Sequence, residues 1–132
     1  MIHFEDVDLE AVTSAGPYEL TESEIVEFSS KWDPFDFHTD EAAAETSIFE
    51  GMAASGVHSI CIFNRLCHDM EKVAVQAVVE HEFHYPNAAR PGDRLFLKTR
   101  NAWTKESASR PEIGIVGTES QLFNQLDEWC WR

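Results

Sequence analysis

The 132-residue chain carries 24 acidic against 10 basic side chains, a formal net charge of -14, with 43% apolar and 26% charged residues. That balance suits one globular domain with a modest core and excludes a disordered chain. Its sign opposes binding to nucleic-acid backbones or anionic lipid, and no stretch approaches the roughly 20 apolar residues of a membrane helix, so neither is an expected partner.

A single domain over residues 1–132 is expected, without repeats or a low-complexity linker. The N-terminal residues lack the basic start and apolar run of a secretory signal, which makes the cytoplasm the expected compartment. Gly16-Pro17 reads as a turn feeding a short strand. Thr21 and Glu24 have the spacing of a capping box, opening a helix that runs to about Trp32. Asp33-Pro34 ends it, because the residue before proline avoids helical angles. Thr39 is placed to cap a second, short helix over residues 40–46. A third and longer helix is expected over residues 54–70. Val57, Ile60, Cys61, Ile62, Phe63 and Leu66 cover most of its circumference, the pattern of a largely buried helix.

After Met70 the hydrophobic period changes. Strands are expected over residues 73–85, 95–103, 113–123 and 128–131, with a turn at Pro91-Gly92-Asp93. One apolar helix followed by consecutive strands is the outline of an α+β domain, its antiparallel sheet wrapped around the helix. Cys61, Cys67 and Cys130 form no CxxC pair and read as buried thiols in a reducing compartment.

The run from Trp32 to Asp40 carries the chemistry. Asp33 and His38 sit five positions apart in a proline-bent loop, among Trp32, Phe35 and Phe37. In a turning chain that spacing lets a carboxylate and an imidazole converge on one small ligand such as water, in poorly solvated surroundings suited to acid–base work. The same residues also suit a helix terminator and a turn histidine. Eighteen positions after His38, Gly56 opens the long helix. The first N–H groups of a helix have no internal acceptor, and a glycine lets a substrate oxygen approach them closely. Such a donor fits a thioester carbonyl gaining negative charge. Close packing of helix on sheet would equally explain a glycine there.

These residues resemble the MaoC-like dehydratase family, related to the (R)-specific enoyl-CoA hydratases. The likeness lies in Asp33-Pro34 with His38-Thr39-Asp40, in Phe49-Glu50-Gly51, and in Ala54-Ser55-Gly56-Val57-His58. It continues through Arg90-Pro91-Gly92-Asp93-Arg94-Leu95, the run from Ser109 to Gly114, and Asn124-Gln125. The resemblance implies a hotdog fold and a hydro-lyase that hydrates a 2-enoyl thioester, or runs the reverse dehydration. Asp33 and His38 would then activate water, and the Gly56 N–H would bind the thioester oxygen. Asn64, where related hydratases often carry a small polar residue, would orient the site. Phe35 and Asp36 depart from the family, whose loops usually place proline and an amide between the two catalytic residues.

No cofactor is expected beyond a coenzyme A thioester as substrate, with acyl-carrier protein as the alternative carrier. Arg90 and Arg94 are then the expected contacts for the phosphates, with Lys98, Arg100 and Arg110 nearby. Acyl-CoA thioesterase and a non-catalytic acyl-thioester-binding protein are the competing readings. No metal is expected: His81 and His84 are three apart in a strand pattern, facing opposite sides. Hotdog sheets leave an exposed edge, so a homodimer or higher homo-oligomer is expected.

Overall fold

The computed structural model describes residues 1–70 and 77–131. After a 3-10 turn at Phe4–Asp6, the order is β1 (Val12–Glu19), α1 (Glu22–Trp32), α2 (Asp36–Thr39), α3 (Glu41–Glu45), α4 (Gly56–Cys67), β2 (Arg94–Glu106), β3 (Gly114–Phe123) and β4 (Trp129–Trp131). The four strands form one antiparallel sheet in the order β1-β2-β3-β4. Helix α4 packs on β1 and β2. This is the expected α+β hotdog arrangement.

Alternation along β2 decides which face of the sheet meets the helix. Leu95 and Leu97 are fully buried, while Arg94, Lys98 and Arg100 point to the other side. With Leu20, Ile25, Ile62, Leu66, Leu122 and Cys130 the two leucines form the core between sheet and helices. The buried face of α4 is His58, Ser59, Ile62 and Leu66. Val57 is half exposed and Cys61 is exposed, so the apolar outer positions of α4 remain open in the single chain.

Several local readings change. Gly16 and Pro17 lie inside β1, at a register shift between Ala15 and Tyr18. A side chain on Gly16 would reach within 2.7 Å of the Leu95 carbonyl, so the close approach of β2 requires a glycine there. Thr21 caps α1 as expected, its hydroxyl accepting from the Glu24 N–H at 3.2 Å. The Glu24 carboxylate does not complete the box; it accepts a hydrogen bond from the Tyr18 hydroxyl instead. The cap of α3 is Asp40, whose Oδ1 accepts from the Ala43 N–H at 2.8 Å, and Thr39 belongs to the preceding turn α2. Helix α4 begins at Gly56 because Ser55 caps it. Ala53 and Ala54 stay outside the helix, with the Ala54 N–H bonded to the Ala89 carbonyl at 2.8 Å.

Of the strand expected over residues 73–85, residues 73–76 lie outside the described residues. Residues 77–85 adopt no regular secondary structure. Val78 and Val79 are exposed there, and β4, three residues long, offers little edge to pair with. A strand needs neighbours more than intrinsic propensity.

Thiol chemistry tests this placement of β4 and α4. Cys130 is 2% exposed, and burial, helped by the charges of Asp93 and Glu128, pushes its thiol up to about 12. Iodoacetamide at pH 8 is expected to label Cys61 first and Cys130 only after denaturation, read by mass spectrometry. Native labelling of Cys130 as fast as Cys61 would contradict the buried β4.

Candidate active site

Asp33 closes α1. Its N–H donates to the Ser29 carbonyl at 2.9 Å, and its backbone (φ -155°, ψ 70°) leaves the helix ahead of Pro34. The chain then coils through α2, which turns His38 back so that its Nε2 lies 3.7 Å from Asp33 Oδ2. That separation is too long for a direct hydrogen bond and short enough for one water to bridge. His38 is buried, and its Nδ1–H donates to the Ala53 carbonyl at 2.5 Å. A carbonyl accepts only, so this contact makes Nδ1 the donor, and in the neutral ring the Nε2 lone pair faces Asp33.

The aromatic residues surround the imidazole more than the carboxylate. Phe37 meets His38 edge-on at 4.5 Å between centroids, with Phe35 at 6.5 Å and Phe49 at 6.3 Å. Trp32 is exposed under the Lys31 ammonium, and Asp36 is exposed at the head of α2. The side chain of Asp33 stays partly accessible. It accepts a 2.6 Å hydrogen bond from Ser55 Oγ, which also caps α4 by accepting from the Val57 N–H at 3.2 Å.

Gly56 is the first residue of that helix, and its N–H has no acceptor among the described residues. A side chain at this position would meet the Tyr85 ring at 3.1 Å. Ser55 thus joins the carboxylate that faces the imidazole to the helix start whose first amide is unused.

A family model for the MaoC-like domain matches residues 8–120. The chain belongs to the MaoC-like domain family. Its fold superimposes on a MaoC-like dehydratase from Rhodospirillum rubrum with a TM-score of 0.92 and 33% identity, covering 100% of this chain and 92% of that one. An (R)-hydratase from A. caviae involved in PHA biosynthesis shares the fold at a TM-score of 0.76 and 15% identity, covering 96% and 92%. A HadBC (3R-hydroxyacyl-ACP dehydratase) complex from Mycobacterium tuberculosis does so at 0.72 and 19%, covering 95% and 93%. No curated protein matches the sequence.

In this MaoC-like domain the cations expected at the phosphates have protein partners. Arg90 turns its guanidinium to the backbone: Nη1 donates to the Gly51 and Met52 carbonyls at 3.1 and 3.3 Å, and Nη2 to the Phe49 carbonyl at 2.6 Å. It clamps the loop leading into Ala53. Arg94 lies on the outer side of β2 with Nε 3.9 Å from Glu19 Oε1, opposite the face that packs on α4. Arg100 pairs with Glu119 at 2.6 Å, and the Lys98 ammonium lies over the Phe123 ring. Asn64 is exposed on α4.

Histidines and cysteines gather no metal site, since no group of three or more metal-ligating side chains exists among the described residues. Nor is any helix among them long and apolar enough to cross a membrane.

Ser55 was missed as a site residue. Its position before a helix-start glycine marks it as a cap, but nothing in the sequence ties it to a residue 22 positions earlier. A second polar group lies on the buried face of α4. His58 stacks on Phe28 of α1 at 4.3 Å, and its Nε2 is 3.6 Å from Glu24 Oε1. Burial, followed by the Glu24 contact, pushes the Tyr18 hydroxyl up to about 12.

Two measurements follow. Arg90→Lys keeps the charge but loses the planar fork, and is expected to cost about 2 kcal/mol in urea denaturation. Arg94→Lys should change stability far less; equal losses would contradict the clamp. Burial lowers the His58 pKa from its ordinary value, against the opposing pull of Glu24. As pH falls below about 6.5 the unfolded chain therefore takes up this proton before the folded one, and stability declines. His58→Phe is expected to flatten that part of the stability–pH curve.

Proposed function

We propose that this MaoC-like domain hydrates the double bond of a 2-enoyl thioester, or catalyses the reverse dehydration. The observation that carries this reading is the 3.7 Å gap between Asp33 Oδ2 and His38 Nε2, two acceptors facing each other. A water in that gap donates one hydrogen to each, which leaves an oxygen lone pair free for the β carbon. As the C–O bond forms, one of the two groups takes the water proton, and the double-bond electrons move toward the carbonyl. The Gly56 N–H meets the resulting oxyanion, a contact worth roughly 10²–10³ in rate for one good donor. The proton then passes to the α carbon, so that the elements of one water molecule are added across the double bond.

The carrier is proposed to be coenzyme A. Incubation with crotonyl-CoA is expected to bleach the enoyl-thioester absorbance without releasing thiol. Asp33→Asn and His38→Ala should each lower kcat by at least about 10²-fold. Release of free thiol would identify a hydrolase, and tight binding without turnover a binding protein; either result overturns the assignment.

The domain is further proposed to work as a homodimer. Residues 77–85 expose Val78 and Val79 without joining the sheet, and the outer face of α4 leaves Val57 and Cys61 uncovered. Apolar surface of this kind favours burial against a second copy. Light scattering is expected to give twice the chain mass, and Val79→Lys to shift it toward the monomer.

A further inference from the structure

We propose that Ser55 is the positioning residue that holds the acid–base pair and the oxyanion donor in one register. Its kinetic test rests on the hydration reading above; its spectroscopic test rests on the geometry alone. Ser55 is fully buried. Its Oγ must accept from the Val57 N–H, because that amide sits in the first turn of α4 with no carbonyl to receive it. The single hydroxyl proton is thereby directed to Asp33 Oδ2, the 2.6 Å contact. Neither partner can be satisfied by rotating the hydroxyl the other way.

The carboxylate oxygen so held is the one His38 Nε2 faces. Two residues before Ser55, the Ala53 carbonyl holds the opposite nitrogen of that imidazole. One residue after Ser55 comes the Gly56 amide. Base, tautomer and oxyanion donor are therefore all set from residues 53–56, whose one side-chain contribution to these contacts is the serine hydroxyl. Without it, Asp33 keeps its place at the end of α1, but its carboxylate is free to turn toward solvent. Misplacement of a reacting group by a fraction of a bond length lowers turnover more than binding.

The test separates this role from capping. Glycine is a competent helix cap and alanine a poor one, yet neither can donate to Asp33. Ser55→Gly and Ser55→Ala are both expected to lower kcat with crotonyl-CoA by about tenfold or more while KM moves less than about threefold, although only the alanine variant loses much stability. Ser55→Thr restores the hydroxyl and should recover most of the rate. A glycine variant with wild-type kcat would reduce Ser55 to a cap and overturn the proposal. Should the alanine variant fail to fold, the glycine and threonine variants alone decide.

The same variants are read by NMR of the His38 ring, which shares the held oxygen. Shifted His38 resonances in Ser55→Gly, returning in Ser55→Thr, support the coupling; an unchanged ring signal overturns it. A wild-type protein inert toward every enoyl thioester would sink the hydratase reading, and this NMR comparison would then decide the role of Ser55 by itself.

Discussion

The buried entry into α4 is the constraint on which the rest of the molecule depends. Ala53, Ala54 and Ser55 lie inside the protein, where backbone polar groups and hydroxyls must find partners. Each partner comes from a different part of the chain: the His38 ring for the Ala53 carbonyl, the Ala89 carbonyl for the Ala54 N–H, the Asp33 carboxylate for the Ser55 hydroxyl. Two of these three contacts also hold the candidate site residues His38 and Asp33. The Gly56 N–H is the exception, left without an acceptor among the described residues at the end of the run.

Arg90 shows how the loop ahead of that segment is held. Its guanidinium answers three carbonyls between Phe49 and Met52, while its own N–H is received by Asp93 Oδ2 at 2.8 Å. The Pro91-Gly92-Asp93 turn is thus tied through an arginine to the loop that leads into the candidate site. On the buried face of α4, the Tyr18, Glu24 and His58 side chains join β1, α1 and α4. Both ends of the Asp33 support are therefore anchored: α1 through Glu24 and the start of α4 through His58.

The acidic surface fits this economy of cations. Arg65 pairs with Asp69 and Arg100 with Glu119, both solvent-exposed contacts of small energetic weight. Arg90 is used structurally.

Much was settled by local chemistry that the sequence displays. Thr21 as a cap, Pro34 as a helix stop, the turn-bounded runs that form β2 and β3 and the Asp33–His38 spacing all act over a few residues, and each is visible as a pattern of residue types. The sequence also placed Gly56 near a helix start. Only the tertiary structure could assign Glu24 to Tyr18 and His58 rather than to its own capping box, or spend Arg90 on carbonyls 38 to 41 positions away. It alone joined Ser55 to Asp33, and it left residues 77–85 outside the sheet despite their strand-like composition. Caps, stops and alternation are set by nearest neighbours, whereas the partner of a buried polar group is chosen by whichever distant group the packed chain brings within reach.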